Sequence, residues 1–315
     1  MNKKLTGRRS LCTSGTIEEP EDFVVEEAIN PKFLRKHERY FGKIKQVEGP
    51  YSLFILRKRN TTTEEALKAV SEKLSVEISF IGYAGLKDKL AVTSQYITIK
   101  DADNNLNGFC EQEISLEKIG RTNRHISLGD LLFNKFTITL YDCKNLDKIR
   151  NILVFVKKPM PNYFGPQRFS NNNVETGRKL LQRKLDLRKF SKERAKFLVN
   201  SYQSHIFNIA LEKSKQPMPK SLPLVGYDSK NIPPLIKKLL EKDKISQKDF
   251  EFGTFTCNGS IRQTFIKIQD FNYSIRNEPT PLGVNTQSNL QLKFALPKGS
   301  YATIVLNKIQ KGEWI

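Results

Sequence analysis

The segment Gly85-Leu86-Lys87-Asp88-Lys89-Leu90 sets one carboxylate between two lysines. Cations on either side favour the charged form of a carboxyl, and an ionised aspartate can act as a nucleophile or assist proton removal. Taken alone, Lys-Asp-Lys reads first as a solvated surface turn with ordinary charges. Other chemistries find less support. Cys12, Cys110, Cys143 and Cys257 are isolated, no Cys-x-x-Cys pair occurs, and His37, His125 and His205 are scattered. Clustered metal ligands are therefore absent from the pattern, and neither a metal nor any other cofactor is expected. Gly82-Tyr83-Ala84-Gly85 lacks the Gly-Lys-Ser/Thr ending of a phosphate loop, and no Gly-x-Gly-x-x-Gly follows a strand.

The elements around Asp88 would hold it on a rigid scaffold. Phe23 to Glu27 and Tyr51 to Arg57 read as strands. Thr62 opens a helix, with Glu65 three residues on as a capping box and Ala66, Leu67, Val70 and Leu74 at helical spacing. Ser79 to Tyr83 reads as a short buried segment, and Thr93 to Lys100 alternates as a half-buried strand with Tyr96 on the polar face. Phe136 to Tyr141 is another strand. Helix, loop and strand thus frame the aspartate.

The middle of the chain changes character. Pro159 to Ser170 is rich in Pro, Asn, Gly and aromatics, and the basic stretch Val174 to Arg188 reads as helical. Lys192 to Glu212 is a strong helix, with Ala195, Leu198, Tyr202, Ile206 and Ile209 on one face. Residues 215–248 suggest surface structure around short helices. Leu290 to Leu296 and Ser300 to Lys308 look like strands returning to the first sheet. A discontinuous domain with a helical insertion is the expected organisation.

Charge points to the partner. Lys and Arg number 53 against 33 Asp and Glu, a net +20, and such a surplus favours a polyanion through counterion release. Composition is that of a folded soluble chain, 38% hydrophobic and 27% charged. No run of about 18 apolar residues offers a membrane span, and Met1 to Ser14 lacks the apolar core of a secretory signal. A cytoplasmic protein is expected.

The wider pattern Gly85-x-Lys87-Asp88-x-x-Ala91-x-Thr93-x-Gln95 resembles the catalytic motif of the TruD family of tRNA pseudouridine synthases. Five further segments resemble that family in the same order: Pro20-Glu21-Asp22-Phe23-Val24-Val25-Glu26; Leu128-Gly129 through Asn134-Lys135-Phe136-Thr137; Pro161-Asn162-Tyr163-Phe164-Gly165-Pro166-Gln167-Arg168-Phe169; Ser201-Tyr202-Gln203-Ser204 through Phe207-Asn208; and Leu296-Pro297 through Gly299-Ser300-Tyr301-Ala302-Thr303. The resemblance implies an α+β fold: a pseudouridine-synthase core with a mixed, largely antiparallel sheet (residues 1–158 and 278–315) and an inserted α-rich domain (159–277). It implies isomerisation of uridine to pseudouridine in tRNA, at uridine 13 of the D arm, in a basic cleft, by a monomer needing no metal and no membrane.

The same resemblance implies that Asp88 is the catalytic aspartate and that Phe23, Asn134 and Tyr301 lie against the base, Tyr301 standing where many relatives have Phe. It adds Lys87, Gln95, Phe136, Asn162, Phe164, Gln167 and Arg168 as substrate-binding candidates. A flipped uridine needs such aromatic faces and edge hydrogen bonds. Each candidate has a plainer reading: Phe23 and Phe136 as core aromatics, Asn134 as a turn residue, and the Asn162–Phe169 loop as packing. Whether Asp88 attacks the ribose, attacks the ring or assists proton removal stays open. Two rivals stand beside this reading: a non-catalytic RNA-binding protein or RNA chaperone on the same fold, and an RNA methyltransferase. One departure is Ile17-Glu18-Glu19, more acidic than the basic lead expected in relatives.

Overall fold

In the computed structural model the described residues are 14–29, 49–100, 108–127, 129–279 and 286–315. The basic lead-in before Ser14, His37 and Leu128 of the third motif lie outside them. The chain divides into two compact units, residues 1–150 with 268–299, and residues 151–267 with 300–315.

Eight strands open the chain: Ser14–Thr16 (β1), Phe23–Ile29 (β2), Tyr51–Arg59 (β3), Ile81–Tyr83 (β4), Val92–Lys100 (β5), Gly108–Glu111 (β6), Ile114–Thr122 (β7) and Leu131–Cys143 (β8). Four short strands of the second unit follow: Met160–Pro161 (β9), Ser221–Leu224 (β10), Ser260–Gln263 (β11) and Phe265–Ile266 (β12). Gln269–Pro279 (β13) and Thr286–Pro297 (β14) then complete the first unit's sheet. Its order is β13-β14-β8-β2-β5-β3-β7-β6, with β1 on β8 and β4 on β5. Among the described residues every ladder of this sheet is antiparallel except β2–β5.

Period-2 alternation decides which face of this sheet is buried. Helix Thr63–Leu74 (α1) packs Ala66, Leu67 and Val70 onto Phe54, Leu56, Ile97, Ile99 and Leu116, each buried Val, Leu, Ile or Phe contributing about 1.5–3 kcal/mol. The expected capping box is present: Thr62 Oγ1 accepts from the Glu65 amide at 3.1 Å, and Glu65 Oε2 accepts from the Thr62 amide at 2.8 Å. Leu146–Val156 (α2) runs from the end of the first unit's leading segment into the second.

The second unit is built on Asn173–Leu181 (α3), Lys192–Glu212 (α4), Pro234–Lys242 (α5) and Ala302–Lys311 (α6). α3 and α4 approach so closely that a Cβ on Gly177 would sit 2.1 Å from the Leu198 carbonyl oxygen. Helix propensity favours Ala over Gly by about 1 kcal/mol, but the clash is with backbone and cannot be relieved by a rotamer. Gly177→Ala is therefore expected to destabilise this unit by about 1–3 kcal/mol, measured as a lower midpoint in urea; an unchanged or higher midpoint would refute the close approach.

Three expectations need correcting. Ser300–Lys308 does not return as a strand; Ala302–Lys311 is a helix, burying Ala302, Val305, Leu306 and Ile309 at helical spacing. The β-branched run Thr303-Ile304-Val305 suggests a strand, and the packing of one apolar stripe overrides that propensity. The helix beginning near Val174 stops at Leu181, where Arg183 turns with φ +57°. Ser79 to Tyr83 is not uniformly buried: Ile78–Phe80 is an exposed 3-10 turn, and burial begins at Ile81.

Candidate active site

Sheet register gathers the first unit's candidates. On β2 and β8, Phe23 faces Ile138, Val25 faces Phe136 and Glu27 faces Asn134. β14 adds Phe294 beside Phe136 and Leu296 beside Asn134. On the other side of β2, Val25 pairs with Thr93, and β3 sets Lys58 opposite Thr93 and Leu56 opposite Gln95. Paired residues share a face. One face of the sheet thus carries Phe136, Val25, Thr93 and Lys58 in one row, with Asn134, Glu27 and Gln95 next to it.

Asp88 lies in the loop leading into β5, next to this face. Asp88 is half-buried, and its carboxylate makes no hydrogen bond or ion pair among the described residues. Its neighbours are tied down instead. The Lys87 amide donates to Thr63 Oγ1 (2.8 Å), that hydroxyl donates to Gln95 Oε1 (3.4 Å), and Gln95 Nε2 donates to the Gly85 carbonyl (3.4 Å). The Lys87 ammonium pairs with the buried Glu27 carboxylate, whose other oxygen accepts from the Tyr96 amide (3.1 Å). Burial pushes the Glu27 carboxyl above the ordinary carboxylate range, against the pull of Lys87. Lys58, 1% exposed, donates to the carbonyls of Thr61 (2.6 Å) and Asp88 (2.8 Å). Burial brings its ammonium down to about 8, while attraction to Asp88 opposes the shift.

Phe23 is 1% exposed and meets Phe136 edge-on at 6.0 Å, and Phe136 stacks on Phe294 at 5.3 Å. Asn134 is half-buried, and its Oδ1 is shut from solvent with no hydrogen-bond donor among the described residues. An unsatisfied buried carbonyl costs about 1–3 kcal/mol. A cavity of about 170 Å³ lined by Thr139, Tyr141, Arg276, Asn289 and Gln291 contains none of these residues. Alternation along β8 puts Thr139 and Tyr141 on the opposite face from Phe136 and Ile138.

The second unit holds Asn162, Phe164, Gln167, Arg168 and Tyr301. Asn162 is buried: Nδ2 donates to the Gln263 carbonyl (3.0 Å) and Oδ1 accepts from Arg262 (2.6 Å). Asn208 clamps Phe164 by accepting from its amide (2.9 Å) and donating to its carbonyl (3.0 Å). The Phe164 ring lies 4.0 Å from the Arg262 guanidinium and 5.9 Å from the Tyr301 ring. Gly165 permits this convergence, because a Cβ there would stand 2.7–2.8 Å from Gln167, Tyr301 and Thr303 side chains. Gln167 Oε1 accepts from the Thr303 hydroxyl (3.1 Å), and Arg168 lies over Phe197 at 4.8 Å with Nε donating to Ser204 (3.4 Å). Burial lowers the pKa of Arg168, and that of Arg262 to about 10.

A family model, described as tRNA pseudouridine synthase D (TruD), matches residues 9–187 and 213–309. The chain belongs to the TruD family. A tRNA pseudouridine synthase D of Wolinella succinogenes is 30% identical over 361 aligned positions, covering 93% of this chain and 94% of that one. One from Nitratiruptor sp. is 37% identical over 202 residues, 62% of this chain and 52% of its own length; one from Helicobacter pylori is 35% identical over 176 residues, 52% and 45%. In these last two matches the aligned part spans about half the relative's length. A crystal structure from Methanosarcina mazei, described as a candidate tRNA pseudouridine synthase D, superposes with a TM-score of 0.65 at 20% identity, over 97% of this chain and 96% of that one. The mixed α/β fold with its large, mostly antiparallel sheet is thus shared with a TruD-type structure.

Beside the first unit's candidates stand Glu27 and Lys58, and beside the second unit's stands Arg262, none of them singled out from the sequence. Strand parity carried the signal for two of them, since Glu27 follows Phe23 and Val25, and Lys58 follows Phe54 and Leu56, on inward positions. Nothing comparable marked Arg262.

Proposed function

We propose that this protein isomerises uridine to pseudouridine in tRNA, at position 13 of the D arm, with Asp88 as the catalytic nucleophile. The observation that carries the reading is the half-buried Asp88, whose carboxylate makes no hydrogen bond or ion pair among the described residues, in a loop where Lys87 and the Asp88 carbonyl are tethered. During the isomerisation the bond from N1 to C1′ breaks and C5 bonds to C1′. The C5 proton leaves and N1 takes one up, so nothing is oxidised or reduced. The uridine must leave its stack to be reached; in the first unit Asn134 offers its base a polar group and Phe136 an apolar face. The net +20 supplies attraction for the tRNA backbone.

The test is multiple-turnover release of tritium from tRNA labelled at uridine C5, with the modified position mapped by carbodiimide. Release of many equivalents per enzyme, with the signal at uridine 13, is the expected result. Tight tRNA binding with no release would point instead to an RNA-binding protein on the same fold.

A further inference from the structure

β3 ends in three consecutive cations, Arg57-Lys58-Arg59, and only the middle one turns inward. Arg57 pairs with Glu117 and Arg59 with Glu21 and Glu113 at the surface. Lys58 is almost wholly buried and has no carboxylate within ion-pair distance among the described residues; its two acceptors are backbone carbonyls, those of Thr61 and Asp88. A buried ammonium satisfied this way is costly, and an apolar side chain of the same length would serve the strand better. The bond to Asp88 is what an apolar residue could not make.

We propose that Lys58 is a positioning residue for the reaction: its ammonium ties the backbone of Asp88 to β3 and holds a fixed positive charge behind the Asp88 carboxylate. This rests on Asp88 being the catalytic carboxylate. The loop then has two independent tethers from the sheet, Lys87 to Glu27 on β2 and Asp88 to Lys58 on β3. The charged groups acting on Lys58 are Asp88 and Lys87 of the loop and Glu65 of α1. β5 and β7 face it with Thr93 and Ile114, neither titratable. Because catalysis demands placement to within a fraction of an ångström, freeing the loop slows chemistry while leaving tRNA affinity nearly intact.

Lys58→Met should lower the single-turnover rate by about 100-fold with tRNA binding within about threefold. Hydrogen exchange over residues 84–92 should rise at least ~10-fold, with α1 and β5 still protected. Wild-type kcat/KM should decline above about pH 8 as Lys58 discharges, and Lys58→Arg, which stays charged, should lose that decline and recover part of the rate. A Lys58→Met enzyme within threefold of wild-type rate, unchanged exchange over 84–92, or an alkaline decline persisting in Lys58→Arg would each overturn the proposal. A wild-type protein that makes no pseudouridine, or an active Asp88→Asn, would fault the assignment of Asp88 instead; the exchange measurement decides the tether in either case.

Discussion

Asp88→Asn is expected to lower kcat for pseudouridine formation by at least about 10⁴-fold, the scale on which losing a single essential catalytic group acts, while tRNA affinity holds or rises slightly. Asparagine keeps the shape and removes the charge. The carboxylate oxygens make no hydrogen bond or ion pair among the described residues and act on Lys58 only through longer-range attraction, whereas the tether to Lys58 uses the Asp88 carbonyl. The loop should therefore stay in place. An anion about 8 Å from a phosphate repels it by about 0.5 kcal/mol in water, so its removal should tighten binding by roughly twofold. Tritium release and filter binding on the same preparation separate the two effects. Activity near wild type would sink the assignment; a parallel loss of binding and activity would show that Asp88 holds the fold rather than the chemistry.

What could be read from residues alone was what is local. The Thr62–Glu65 capping box and the helix Lys192–Glu212 depend on spacings of a few residues, and both stand as expected. The strands around Asp88 followed from alternation. Residues 302–311 misled because Thr303, Ile304 and Val305 favour extended backbone, and only the packing of Val305, Leu306 and Ile309 makes them a helix. In the candidate site, the motif around Asp88 was visible, but its supports were not. Glu27 and Lys58 occupy inward strand positions, yet a charge there gains meaning only from partners distant in sequence, Lys87 for one and the Asp88 carbonyl for the other. The Asn208 clamp on Phe164 is likewise non-local. Two motifs that appear separate along the chain are halves of one hydrogen-bonded contact.

Glu27→Gln removes the carboxylate that faces the Lys87 ammonium, but burial already favours the neutral form of Glu27, so the change should cost the first unit about 1 kcal/mol or less. For a unit of this size the melting temperature should move by no more than about 4 °C. Glutamine can still accept from the Tyr96 amide, so the loss isolates the missing charge. The pH dependence has a definite sign. Burial raises the native Glu27 carboxyl above its ordinary 4.5, so between 4.5 and the native value the folded state holds more protons than the unfolded one. Stability contributed by Glu27 therefore falls as pH rises through that window, and the slope should vanish in Glu27→Gln. Replacing both partners, Glu27→Leu with Lys87→Met, removes both charges at once and should leave stability within about 1–2 kcal/mol of wild type. Pseudouridine formation should nonetheless stay depressed in the double variant, because the loop has lost its β2 tether. A double variant that keeps both stability and activity would mean that the ion pair serves folding alone, and that Lys58 suffices to hold Asp88.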